Sequence, residues 1–441
     1  MKFEVKGNPN YVATVVVIQN KLELEGCDNI CGTIIFGNHV IVSKDVQIGD
    51  IGLFFPVETK ISSEFLSHNS LYRDKTLNRD KDKAGFFELN GRIRCMKLRG
   101  HKSEGFWIPI NSLKGFQGCP DNFTIQSGIE FDHINDHKIC EKYIVPIKTS
   151  SQSQGQKKKD IAKKFDKLIL GQFNLHIDTN HLGKNIHKIN PDDVISITAK
   201  LHGSSFVSSY ILCNRKLTIR DKIARLFGVK VKETEYDYIY ASRKVIKNRY
   251  LTKTEHTDYY KEDIWGTVHK ELEPFLDKGM TIYGEVVGFL KSGGYIQKNY
   301  DYGCKPTEHK TYIYRITTTN EDGKVFEWSM LQIQQWCKQK SLLAVPLLYY
   351  GEAYDLYKQL YNKYYKGEYR NFENVKFLDL LQREYMEKKC SICENDVWAE
   401  GIVLRVESLD INPYKLKSFN FKAEESKQMD KGEINIEDNQ E

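Results

Sequence analysis

Three apolar, strand-like runs in the C-terminal two-thirds of the chain each set one charged side chain beside glycine, and no other feature limits the fold as much. Val194-Ile195-Ser196-Ile197-Thr198-Ala199 leads into Lys200 and then Gly203. Tyr283-Gly284-Glu285-Val286-Val287-Gly288 surrounds Glu285 with apolar residues, and Glu400-Gly401 opens the run Ile402-Val403-Leu404. A charge on an apolar strand is costly unless a partner, an ion or a ligand meets it. The small glycines leave room for that partner and let the backbone approach closely.

An amine at the end of a buried strand is partly stripped of water, which favours the neutral form that can attack phosphorus. Lys200 fits that description; an edge-strand lysine reaching out to solvent is the competing reading. Glu285 and Glu400 could share a hard divalent cation, magnesium or manganese, with phosphate oxygens. Pairing with a nearby Arg or Lys would serve equally well. In Lys415-Leu416-Lys417 the two lysines would project from one face of an extended segment, suited to the charge that grows on phosphorus as pyrophosphate leaves. A solvated charge pair is the plainer alternative. Tyr312-Ile313-Tyr314 offers an aromatic platform.

With 441 residues, 40% of them hydrophobic and 28% charged, the chain is expected to be a soluble protein of two to three domains. No run reaches the roughly 18 apolar residues of a membrane span, so no membrane partner is expected. Met1-Lys2-Phe3-Glu4-Val5-Lys6 alternates like a strand and gives no support for secretion. The ten cysteines are therefore expected to stay reduced, in the cytoplasm or another reducing intracellular compartment. A net charge of +6 permits an anionic partner without requiring one.

Short runs at 12–19, 32–36, 40–44, 51–56, 86–89 and 92–98, separated by Gly, Asn and Asp, predict a small β-barrel over residues 1–145. Its strand 92–98 carries Arg92 and Arg94 on one face and, with Lys97 and Arg99, forms the densest basic stretch of this half. Residues 146–164, including Lys157-Lys158-Lys159, are polar and of low complexity and read as a linker. Strands and helices then alternate irregularly over 165–428, giving an α+β domain, with helices expected at 221–227, 261–276, 330–338, 353–365 and 374–388. Residues 429–441 read as an acidic, disordered tail. Cys390-x-x-Cys393 lacks a second pair at zinc spacing, so reduced structural cysteines are expected there and at Cys27 and Cys31.

In order, Lys200-Leu201-His202-Gly203, Ala241-Ser242-Arg243, 283–288, 312–316, 400–405 and 415–417 resemble motifs I, Ia, III, IIIa, IV and V of the covalent nucleotidyltransferases: DNA ligases, RNA ligases and mRNA capping enzymes. The histidine at the third place of motif I is similar to the RNA ligase version, as is Gly294-Tyr295-Ile296-Gln297-Lys298. Asn69–Arg73, Gly91–Arg94, the stretch 97–105 and His176-Ile177-Asp178-Thr179 resemble the RNA ligase family typified by the Deinococcus and Naegleria enzymes, in which an OB-type module precedes the catalytic domain. The resemblance covers most of the chain.

What the resemblance implies is an ATP-dependent RNA ligase, working as a monomer on RNA or a nicked RNA-containing duplex, with magnesium or manganese. Lys200 would carry AMP. Thr198, Ala199, Gly203, Arg243, Glu285, Tyr314, Glu400, Lys415 and Lys417 would line the nucleotide site, Tyr314 stacking on adenine and Arg243 touching ribose or phosphate. Arg92, Arg94, Lys97 and Arg99 would hold nucleic acid. Two departures stand out: Arg315 where motif IIIa commonly has Asp, and Ser205 where some RNA ligases use Asn. A capping guanylyltransferase or DNA ligase would share the chemistry, but each usually has an OB domain after motif V, and only 19 residues follow Lys422. A catalytically silent RNA-binding protein would be marked by loss of Lys200 or Glu400, and both are present.

Overall fold

The computed structural model describes residues 2–146, 167–176, 178–247, 260, 262–365, 371–408 and 411–433. The basic run 157–159, nearly all of the expected linker and residues 434–441 lie outside them.

In the N-terminal part, Glu130–Phe131, Ala13–Val17, Ile51–Pro56 and Gly105–Pro109 form a four-stranded antiparallel sheet, in that order. Strand alternation sends Leu53 and Phe55 into one core with Val15, Phe65 and Phe131, and Phe54 into another with Val40, Val42 and Trp107. Short pairs flank this sheet: Ile30–Ile35 with Asn38–Ser43, Thr59–Ile61 with Cys140–Lys142, and Met96–Leu98 with His101–Ser103. Of the two late strands expected here, 86–89 makes only an isolated bridge from Phe87 to Tyr72, and 92–98 is a strand only at Met96–Leu98. Arg92 makes only an isolated bridge to Lys60, and its guanidinium has partners elsewhere, described below.

The C-terminal part is built on two antiparallel-dominated sheets. One has the order Ile246–Lys247, Thr234–Ser242, Ser204–Asn214, Met280–Gly288, His309–Thr319, Val325–Glu327. The other runs Asn180–His181, Asn412–Lys417, Gly401–Val406, Val194–Lys200, Leu347–Glu352. Helix Ile264–Leu272 packs Ile264, Trp265 and Val268 against Phe206, Ile282 and Val286 of the first sheet. Helices Ala353–Tyr364 and Asn374–Tyr385 pack Leu356, Leu360, Phe377 and Leu381 against Ile195, Ile197, Ile402, Leu404, Tyr414 and Leu416 of the second.

That packing sorts the charges. Because Ile195 and Ile197 face the helices, Lys200 falls on the other face with Ser196 and Thr198; because Tyr414 and Leu416 face the helices, Lys415 and Lys417 do the same. The turn from Lys200 to Ser204 carries the chain from one sheet to the other, so the motif I lysine stands at their junction.

Among the described residues, helices Leu182–Asn185 and Phe419–Asp430 go beyond those expected from the sequence. Phe419–Asp430, capped by Ser418, buries Phe419, Phe421, Glu425, Ser426 and Met429. It takes in the first residues of the expected acidic tail: Met429 is buried and Asp430 is an anchor for the N-terminal part.

Candidate active site

Gly203 fixes the geometry of the junction. A Cβ there would lie 2.4 Å from Val286 O and 2.8 Å from Glu285 Cγ, so only glycine lets the turn lie this close to strand Met280–Gly288. The approach puts Gly203 N 3.1 Å from Glu285 Oε1, and Ser205 Oγ donates to Glu285 Oε2 at 3.0 Å. Gln297, from the second RNA-ligase-like segment, donates to Gly203 O at 2.7 Å and holds the turn from the other side. Ser205, at the place expected to touch ribose, instead fixes the carboxylate.

Glu400 is the hub. Its Oε1 lies 2.9 Å from Lys200 Nζ and 3.1 Å from Lys417 Nζ, and Lys417 also reaches Glu425 Oε2 at 3.4 Å. Glu400 is 4% exposed. Burial alone would raise its pKa, but Lys200 and Lys417 outweigh burial and bring it down to about 2. For Lys417, burial opposes the charge, and Glu425 with Glu400 overcomes it, holding the ammonium well above the ordinary lysine value. For Lys415, burial and then the positive charge of Lys417 outweigh the pull of the Asp178 carboxylate and push it down to about 7. The strongly desolvated amine of the cleft is thus Lys415, a role the sequence reading gave to Lys200.

Arg243 is ion-paired with Asp178, which also accepts from Asn8 Nδ2 of the N-terminal part at 2.8 Å. It forms a wall of the site near Lys415, whose titration it affects. Tyr314 is the extra residue of a β-bulge opposite Tyr283 and Gly284, which turns its ring out of the strand's regular alternation. Its hydroxyl bonds His176 Nδ1 at 3.2 Å. Arg315, the departure in motif IIIa, stacks over the Tyr283 ring at 4.4 Å and is held by Glu327, so it braces the sheet. Thr198 is buried in the Lys200 strand, and Ala199 donates to Pro346 O.

Motif I's histidine has a definite seat. The His202 ring lies edge-on between Tyr300 and Phe421, 4.9 Å from each ring, and the His202 backbone N–H donates to Tyr302 OH at 2.6 Å. Burial lowers its pKa, which favours the neutral ring despite Glu400 nearby.

For a divalent ion the clearest fit is at one carboxylate. Glu400 Oε2 is buried without a hydrogen-bond partner, an acceptor that an ion or its water could take up. Each oxygen of Glu285 accepts one bond from the protein and keeps a second lone pair, and its share in the ion rests on the resemblance. Among the described residues no group of three His, Cys, Asp or Glu is arranged around an ion.

The basic stretch of the N-terminal part divides in two. Arg92 and Arg94 do share a face, but it is turned towards the last helix: Arg92, 5% exposed, bonds Ser426 O and pairs with Asp430 at 3.1 Å, and Arg94 reaches the same carboxylate at 3.5 Å. The expectation that Arg92 holds nucleic acid is corrected, since a guanidinium sealed between two parts of the chain cannot meet a phosphate. Lys97 and Arg99 are exposed on the 96–103 hairpin.

Two facing, mainly antiparallel sheets with the Lys200 turn between them, and a β module ahead, define a covalent nucleotidyltransferase fold. Residues 193–418 match the family model described as RNA ligase, half of the chain, and the protein belongs to that family. Solved structures of the Naegleria gruberi RNA ligase share the fold: a variant with ATP and Mn (17% identity, TM-score 0.57, 93% of this chain and 98% of that one) and a variant with AMP and Mn (16%, 0.56, with the same coverage). The same enzyme with PPi gives 16% identity and TM-score 0.54 over 95% of this chain and 98% of that one. No curated protein matches.

Proposed function

We propose that this RNA ligase is ATP-dependent and seals 3′-hydroxyl to 5′-phosphate ends through three displacements at phosphorus. Lys200 Nζ, once deprotonated, attacks the α-phosphorus of ATP; the P–N bond forms, the P–O bond to pyrophosphate breaks, and the amine proton leaves to water. A 5′-phosphate oxygen of the RNA then displaces Lys200, which regains a proton, giving an RNA-adenylate. Finally the 3′-hydroxyl oxygen attacks that 5′-phosphorus, losing its proton as AMP departs.

The observation that carries this reading is the shared grip on Glu400, which brings Lys200 and Lys417 within 3.1 Å of one carboxylate oxygen. In that state Lys200 is ion-paired. A divalent cation taken up at Glu400 Oε2 would supply positive charge for the phosphate oxygens and weaken the hold on Lys200. Lys415 and Lys417 then face the α-phosphate, Glu285 is poised for the ribose and Tyr314 for the base, with Thr198, Ala199 and Gly203 forming the floor and Arg243 a wall. The N-terminal module, with Lys97 and Arg99 exposed, holds the nucleic acid. The Naegleria structures with ATP, AMP and Mn support the choice of nucleotide and metal.

The test is label transfer. With magnesium or manganese and labelled ATP, the denatured chain should carry label, and Lys200→Met should abolish it. Label from GTP alone, or label that survives the substitution, would falsify the assignment.

A further inference from the structure

Strands Ser204–Asn214 and Thr234–Ser242 stay paired to their far end, Asn214 opposite Thr234, and the chain between them leaves the sheet as an excursion. The 11 residues of the first strand span about 33 Å, so the excursion stands far from the turn that carries Lys200. Its helix, Ile219–Leu226, has a complete capping box between Thr218 and Asp221, yet buries none of its residues. Ile219 is 76% exposed, Ile223 49% and Leu226 85%, followed by Phe227 at 82% and Val229 at 56%.

At about 100° per residue, Ile219, Ile223, Leu226 and Phe227 form one stripe, with Arg220 along one edge and Lys222 along the other. The opposite side is tied back to the excursion: Asp221 pairs with Arg215 at 3.0 Å and Arg225 with Glu233 at 2.9 Å. The apolar stripe therefore points away from the body of the protein. Lys216, Arg220, Lys222, Lys230 and Lys232 make no ion pair among the described residues.

We propose that this excursion rests on an anionic phospholipid surface, with the apolar stripe at the acyl boundary and Arg220 and Lys222 reaching the headgroups on either side. A second copy meeting it through the same stripe would set Arg220 and Lys222 against their own counterparts. Duplex RNA offers phosphates but no aliphatic layer for Ile219, Ile223 and Leu226. An acidic bilayer offers both, and long cationic side chains flanking an apolar stripe suit its interface. No described helix is long and apolar enough to cross a membrane, and a surface helix need not be.

The experiment is flotation of the full chain with vesicles of phosphatidylcholine alone or with a third phosphatidylserine. Wild type should bind the anionic vesicles at least about tenfold more tightly and release them in high salt. Two variants should each lose about tenfold: Ile223→Ser with Leu226→Ser, and Arg220→Ser with Lys222→Ser. Both substitute exposed residues, and an unchanged Tm confirms that they fold. Equal binding to neutral vesicles, no binding, or variants that bind like wild type would overturn the proposal. So would variants that lose nicked-duplex RNA while keeping the vesicles, which would mark an RNA-binding arm.

Discussion

The cleft between the two C-terminal sheets and the seam between the N-terminal part and the last helix are both built from buried charges, but only the first could be read from the chain. In the cleft, Lys200, Glu285 and Glu400 lie on or beside apolar strands close to glycine, and Lys415 and Lys417 alternate along one strand, so local patterns mark them. In the seam, partners are scattered and each is ordinary in its own neighbourhood. Arg92 meets Asp430, Lys422 meets Glu104 at 2.8 Å, Lys102 meets Glu387 at 3.4 Å and Cys95 N donates to Ser426 Oγ. Local chemistry is legible; pairing across three hundred residues is not.

The largest expected effect breaks the hub of the cleft. Glu400→Gln leaves Lys200 and Lys417 without their shared carboxylate and should cut lysyl-AMP formation by about a thousandfold in a single-turnover assay. It should also lower stability by about 2 kcal/mol, because Lys200 loses its partner and Lys417 keeps only Glu425. Activity within tenfold of wild type would break the contrast, because Glu400 would then be scaffold like the seam.

Next comes the seam itself. Arg92→Ala should cost about 2 kcal/mol, the scale of a buried charged hydrogen bond, read as a drop in the denaturation midpoint. Its chemical step and the salt dependence of its RNA binding should stay unchanged. A smaller change is expected from Lys97→Ala with Arg99→Ala: RNA affinity about tenfold weaker, a salt slope reduced by about 2, and lysyl-AMP formation untouched. If instead Arg92→Ala reduces the salt slope, the division of the basic stretch is wrong.

Helix Phe419–Asp430 shows why the seam was missed. Phe419, Phe421, Glu425, Ser426 and Met429 share one buried face of the helix, but Glu425, paired with Lys417, and Lys422 and Ser426 interrupt its apolar residues, so no apolar stripe shows in the sequence. The capping serine was the available signal. Arg92 misled for the opposite reason: strand alternation correctly paired it with Arg94, but alternation cannot say whether a face meets solvent or another part of the chain. The bulge at Tyr314 was likewise invisible, because an extra residue in one strand is defined by its partner strand. By contrast, the helices expected at 353–365 and 374–388 formed close to those bounds, where apolar periodicity was regular.

The smallest effect is a proton. Lys415, at about 7 in the ligand-free protein, is largely neutral at pH 8, and triphosphate would favour its ammonium. ATP binding at pH 8 should therefore take up a fraction of a proton, measured by calorimetry in buffers of different ionisation enthalpy, and Lys415→Met should remove it. The stability signs follow. Lys415 titrates below its unfolded value, so it destabilises fully below about 7 and that cost is relieved as pH rises towards 10.5. Glu400, lowered from 4.5 to about 2, stabilises above its unfolded value, and that contribution is lost as pH falls through this range.

Since Lys415 is the readily deprotonated amine and Lys200 the ion-paired one, mapping where AMP attaches tests the account most directly. After incubation with ATP and magnesium, peptide mass mapping should find a single AMP on the peptide containing Lys200 and none on Lys415 or Lys417. AMP on Lys415, or a chain that never gains AMP, would contradict it.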